Sequence, residues 1–299
     1  MHLKETTQKW LHYAVDFPAA HPTRYKETNT VRGKYLRPAK EARFPLVILL
    51  HGIGDRSVIP CELLARALAK QGIACFILYS VFHSSRVPQA IKKRLPALTS
   101  EEWFEEYQVS VIDMRQIVDW ANGRGEINKE KIAVVGISFG GFISAITMGI
   151  DRRIKAGVFL VAGGNSEEIT WRSKMSAIRM GASCTEAECH RIHSCYPQYL
   201  AEVAEKGFEN ITPAKKCFLT DPMTFASSLR KRPVLMINAL WDGIVPRRAT
   251  LDFWEACGEP AITWFPGTHG TIWLWYPFIS RKIINFLRAN FGMQKSHSL

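Results

Sequence analysis

The chain has 299 residues, 47% hydrophobic and 22% charged, an ordinary globular mix that excludes a disordered chain and is long enough to bury a large core. No run of about 18 apolar residues occurs, so no membrane-spanning helix is expected. The net charge is +12, but the basic residues come as scattered groups such as Lys92-Lys-Arg94, Arg230-Lys-Arg232 and Arg247-Arg248, without a basic tail, so nucleic acid is not an expected partner.

The opening residues, from Met1 to Trp10, lack the apolar stretch of a secretory signal. Seven cysteines without framework spacing suit reduced thiols. A cytoplasmic location is therefore expected.

In chain order, Tyr13–Phe17 and Val31–Leu36 read as short strands of an opening hairpin region. Phe44–Leu50 is a continuous apolar run, the pattern of a strand buried on both faces, and ends in His51-Gly-Ile-Gly-Asp55. Cys61–Lys70 has helical spacing and stops at Gly72. Ile73–Tyr79 is the next buried strand. Residues 80–100 form a polar, basic excursion, followed by a helix from about Glu101 to Ala121 with apolar Val111, Met114, Ile117 and Val118.

The stretch from Lys131 to Ile146 begins as a β-branched strand, passes through Gly136-Ile-Ser138-Phe-Gly140, and continues as a small-residue helix. That is the setting of a G-x-S-x-G nucleophile elbow, in which a serine at a strained strand-to-helix corner exposes its hydroxyl. Ala156–Ala162 is another strand. The alternation then breaks. Residues 165–228 contain no strand pattern but do contain helical segments at Glu167–Met180 and Thr185–Gly207. Strands resume at Pro233–Asn238 and Ala261–Phe265, with helices near Ala249–Cys257 and Ile279–Asn290. Repeated strand-helix units predict an α/β fold with a mostly parallel, doubly wound sheet. The core is expected to comprise 1–164 and 229–299, with 165–228 inserted as a helical cap.

A serine hydroxyl needs an imidazole to take its proton, and the imidazole needs a carboxylate to orient it. Ligands meet such sheets at the carboxyl ends of the strands, so the partners should follow strands. Asp242 follows the Val234 strand and leads into Gly243-Ile-Val-Pro246. His269 follows the Ala261 strand within Pro266-Gly-Thr-His-Gly270. Each alone could be a turn residue, but in the order Ser138, Asp242, His269 they form a complete candidate triad.

With these residues the sequence resembles the α/β-hydrolase superfamily over nearly its whole core, from Phe44 to Phe291. The matching residues are His51-Gly-Ile, Gly136-Ile-Ser-Phe-Gly-Gly141, Trp241-Asp-Gly-Ile-Val-Pro246 and Gly267-Thr-His-Gly270. The likeness is strongest to the dienelactone-hydrolase-like and prolyl-oligopeptidase-like branches. It implies an oxyanion hole formed by the backbone N–H groups of Ile53 and Phe139. Dienelactone hydrolases proper use a cysteine at the elbow, whereas Ser138 stands here, which favours ordinary ester chemistry.

The expected activity is that of a carboxylesterase acting on small to medium esters, without a cofactor. A peptide or aminoacyl hydrolase, or a silent binding protein on the same fold, remain as alternatives. Trp241 and Trp273 flank the acid and the base, and Arg86 follows a strand; all three are candidate pocket residues. His51 reads as an organiser of its turn rather than as a base. Cys189 and His193 share a helical face at metal-ligand spacing, but paired C-x-x-C spacing is missing and no metal is expected.

Overall fold

The computed structural model describes residues 1–54, 58–93 and 98–293. Asp55, the last residue of the His51 turn motif, and Arg94 of a basic triplet lie outside them. Among the described residues the strands form one nine-stranded sheet. They are β1 (His2–Thr6), β2 (Trp10–Pro18), β3 (Thr30–Pro38), β4 (Phe44–Leu50), β5 (Ala74–Tyr79), β6 (Ile127–Ile137), β7 (Ile154–Leu160), β8 (Val234–Ala239) and β9 (Ala261–Phe265). Their order is β1-β2-β3-β5-β4-β6-β7-β8-β9. β1, β2, β3 and β5 pair antiparallel in succession, and every pair from β5 through β4 to β9 is parallel.

The parallel strands are apolar without alternation because helices cover both faces. In β4, Leu46, Ile48 and Leu50 face one core, while Val47 and Leu49 face the other. The first core is closed by α2 (Ser100–Asn122), α3 (Phe139–Ile150) and α8 (Arg247–Ala256) through Met114, Ile143 and Phe253. The second is closed by α1 (Val58–Lys70) and α9 (Tyr276–Asn290) through Leu64, Ile283 and Leu287. Each such aliphatic side chain contributes roughly 1.5–3 kcal/mol by leaving water. Thr99 starts α2 with a capping box, its hydroxyl accepting from Glu102 N–H while the Glu102 carboxylate accepts from Thr99 N–H. Among the described residues no helix is long and apolar enough to cross a membrane.

Between β7 and β8 the chain forms α4 (Ser166–Arg172), α5 (Ser176–Met180), α6 (Glu186–His193) and α7 (Tyr196–Lys206), followed by 3-10 turns at Lys216–Thr220 and Pro222–Leu229. The single run read over Glu167–Met180 is two helices, broken at Ser173, whose backbone is extended. Pro197 lies in the first turn of α7, where its missing N–H is harmless. Tyr196, Tyr199, Val203 and Phe218 make a small core of their own, whereas Phe225, Ala226 and Leu229 belong to the main core. Buried Asp221 ties the two ends of the insertion together. Its carboxylate accepts from the N–H groups of Asn165 (3.1 Å), Ser166 (2.6 Å) and Met223 (2.9 Å).

Candidate active site

Ser138 sits between the last residue of β6 and the first of α3, with φ 54° and ψ −120°. This is a conformation a non-glycine residue adopts only when its surroundings enforce it. Three glycines make the corner possible. A Cβ on Gly136 would stand 2.1 Å from the Gly140 carbonyl oxygen, one on Gly140 would stand 2.2 Å from that of Leu50, and one on Gly141 would stand 2.6 Å from Ala162 Cβ. The serine is pinned by its own N–H, which donates to Leu160 O of β7 at 2.8 Å.

The loops after β8 and β9 are fastened together, with Leu240 N–H donating to Phe265 O (2.9 Å) and Trp241 N–H to Gly267 O (3.0 Å). On one loop, Asp242 Oδ1 accepts from the N–H groups of Ile244 (2.8 Å) and Val245 (3.0 Å). Its other oxygen, Oδ2, lies 2.7 Å from His269 Nδ1. On the second loop, Gly267 takes φ +139° and the mutual hydrogen bonds of Thr268 and Thr271 close the turn that carries His269. His269 Nε2 then lies 2.9 Å from Ser138 Oγ. The Asp242 and His269 side chains are only 5% and 16% exposed, so the carboxylate is shielded while the imidazole edge stays within reach of solvent.

The turn after β4 runs beside the serine. A Cβ on Gly52 would stand 3.3 Å from Ser138 Cβ. His51 is fully buried; its Nδ1–H donates to Gly52 O at 2.6 Å, and its Nε2 accepts from Ser80 N–H at 3.3 Å. Those two bonds fix a neutral ring that organises the turn. Ile53, the next residue, is 52% exposed. Phe139 opens α3, where backbone N–H groups have no acceptor within the helix. Its ring is met edge-on by Tyr107 (5.0 Å between centroids) and at a tilt by Trp103 (6.0 Å).

Of the expected pocket residues, Trp241 is exposed and Trp273 half-buried against the second core. Arg86 is a correction. It is completely buried, its guanidinium pairs with Asp113 at 2.7 Å and it donates to the carbonyls of Tyr79 (2.7 Å) and Thr28 (2.8 Å), so it fastens α2 to strand ends and has no face left for a substrate. Sequence reasoning missed the Trp103–Tyr107 face of α2. Its signal was two aromatics four residues apart in the first turns of a helix that starts at the same sheet edge. Between them Glu106 is 6% exposed, and burial pushes its carboxyl up to about 8. Among the described residues no three His, Cys, Asp or Glu side chains are grouped to hold a metal. His193 Nδ1–H donates instead to the Cys189 carbonyl at 3.0 Å.

A family model described as alpha/beta hydrolase fold matches residues 45–183. No curated protein sequence matches the chain. Among solved structures it is similar to a cold-adapted esterase from an Arctic intertidal metagenomic library, at 15% identity over 95% of this chain and 99% of that one, with a TM-score of 0.61. An acetyl xylan esterase from Paenibacillus sp. R4 is similar at 18% identity over 96% and 87%, with a TM-score of 0.66. An acylaminoacyl peptidase from Pyrococcus horikoshii is similar at 14% identity and a TM-score of 0.69, over 96% of this chain but only 43% of the peptidase. The elbow, the parallel sheet and these matches agree: the chain is an α/β-hydrolase-fold protein.

Proposed function

We propose that the protein is a serine hydrolase that cleaves small to medium carboxylic esters through an acyl-enzyme. The observation that carries this reading is the continuous relay from Ser138 Oγ to His269 (2.9 Å) and from His269 to Asp242 (2.7 Å). Ser138 Oγ attacks the ester carbonyl carbon as His269 Nε2 takes its proton, and Asp242 holds the imidazole in the required tautomer and stabilises its charged form. The oxyanion is received by the N–H groups of Phe139 and Ile53, each such donor being worth about 3 kcal/mol in a transition state. His269 returns the proton to the departing alkoxide. Water, deprotonated by the same histidine, then attacks the acyl carbon, and Ser138 leaves with the proton.

In this reading residues 165–228 are a cap over the site. The bond from Lys174 N–H to the carbonyl of Gly243, at 2.7 Å, supports that role because Gly243 adjoins the acid. The partner is a small-molecule ester rather than a nucleic acid, and the cysteine usage supports a cytoplasmic enzyme.

The test is a panel of nitrophenyl esters of graded acyl length, run beside an aminoacyl amide and a lactone on wild type and Ser138→Ala. Ser138→Ala is expected to stay folded and to lose several orders of magnitude of ester turnover. Full activity in that variant overturns the nucleophile; cleavage of the amide with none of the short esters overturns the substrate class.

A further inference from the structure

Trp103, Glu106, Tyr107 and Ser110 recur at the spacing of one helix face, and both aromatic rings of that face meet Phe139, the residue after the nucleophile. Farther along, Thr147 of α3 bonds Met114 of α2 at 3.6 Å, so the two helices run side by side in the same direction. Their amino-terminal turns therefore lie together at the carboxyl edge of the sheet. Glu106 stands in this corner, in the second turn of α2 and nine-tenths buried, and among the described residues no cation or hydrogen-bond donor answers its carboxyl. A buried acid without a partner is a standing penalty unless something arrives to meet it.

We propose that Glu106 binds a protonated amine of the substrate, with Trp103 and Tyr107 as the aromatic walls, so that the enzyme prefers esters whose acyl part carries a free ammonium group. This rests on the serine-hydrolase reading. A carboxylate supplies the charge-assisted hydrogen bonds an ammonium requires, and ring faces add cation–π attraction at the same spot. A neutral ester would leave the acid unmet.

The neighbouring charges do not already perform this task. Glu102 accepts from Arg24 and Tyr25 within its own capping box, Asp113 is paired with Arg86, and Asp221 is taken up by three backbone N–H groups. Lys216, from the turn packed on α2, lies over the Phe104 ring at 5.5 Å, and His83, from the segment after β5, packs at a tilt against His51. α3 carries no charged side chain. Tyr107 lies between two acids, and burial followed by the charges of Glu106 and Asp221 pushes its phenol up, so it stays neutral.

The test uses the full chain. Calorimetric titration with n-butylammonium chloride, against n-butanol as the neutral control, is run on wild type and Glu106→Gln. The ammonium-to-alcohol affinity ratio is expected to fall about tenfold or more in the variant. In wild type the ammonium affinity should rise with pH and level off above about pH 8, as the carboxyl ionises. This wild-type profile stands even if the variant folds poorly. In parallel, kcat/KM for the nitrophenyl ester of β-alanine should exceed that for the isosteric butyrate, through KM, and the preference should vanish in Glu106→Gln. An unchanged ratio in the variant, or a pH-independent affinity, overturns the assignment of Glu106. Loss of turnover on both esters in wild type, with no labelling of Ser138 by a serine-directed phosphonate, overturns the hydrolase reading instead, and the calorimetry still decides Glu106.

Discussion

His51 Nδ1 holds the carbonyl oxygen of Gly52 at 2.6 Å, and that carbonyl shares a peptide plane with the N–H of Ile53. Because the peptide unit is planar and trans, fixing its C=O toward the imidazole aims its N–H the opposite way. His51 thus sets the direction of a proposed oxyanion donor without touching substrate. We expect His51→Ala to lower kcat for ester hydrolysis by roughly 10- to 100-fold, less than the full worth of one donor, with KM much less affected. His51→Asn, which keeps an N–H at similar reach, should recover part of the loss. Steady-state kinetics on a nitrophenyl ester check this; a change confined to KM would contradict it.

Ser138 stores strain at φ 54°. Glycine adopts such backbone angles without penalty, whereas alanine keeps the Cβ that makes them unfavourable. Ser138→Gly is therefore expected to be more stable than Ser138→Ala by about 1 kcal/mol, measured by urea unfolding, with both expected to be inactive under the proposed function. Equal stabilities would mean that the corner carries no backbone strain.

Arg86 and Asp113 form a fully buried ion pair, and burial alone pulls the guanidinium down and pushes the carboxyl up, against their mutual attraction. Removing one partner leaves the other charged and dry. Arg86→Met or Asp113→Asn should each destabilise by about 3–5 kcal/mol, and the paired replacement Arg86→Met with Asp113→Leu by less than the sum. Denaturant midpoints decide it. An Arg86 variant that kept wild-type stability but lost affinity for anionic esters would restore the pocket role.

Glu106 makes stability depend on pH in the direction opposite to most carboxylates. Its folded-state pKa of about 8 lies above the ordinary value of 4.5. Between those two values the folded protein holds a proton that the unfolded chain has released, so stability falls as pH rises, by up to about 1.4 kcal/mol per unit. Glu106→Gln removes this slope. Unfolding curves of both proteins from pH 5 to 9 should diverge up to about pH 8 and then run parallel.

Much of the fold is legible because buried parallel strands are written as unbroken apolar runs. Phe44–Leu50 is such a run and is also β4, and the run read over Ile73–Tyr79 contains β5. β1 was not legible: His-Leu-Lys-Glu-Thr is an exposed edge strand, held by backbone pairing to β2 rather than by any burial of its side chains. The candidate triad residues could be picked out because each follows a strand, at the edge where the loops converge. Arg86 was misread for a general reason. A basic residue in a polar stretch reads as solvated unless its partner is known, and Asp113 lies on a helix whose apolar stripe hides an acid facing inward. Glu106 was illegible for the same reason, since Glu101, Glu102, Glu105 and Glu106 look alike until packing separates the exposed from the enclosed.

The bond between Lys174 N–H and Gly243 O links the helical insertion to the residue next to Asp242. A side chain at Gly243 would strike the Lys174 stem at 2.8 Å, so the contact is close as well as polar. If the insertion is the cap proposed above, lifting it to admit substrate would break one of the bonds that hold the acid's loop. The proposed door and trigger would then share one latch, so that a movement of the insertion would be felt in the loop that carries Asp242.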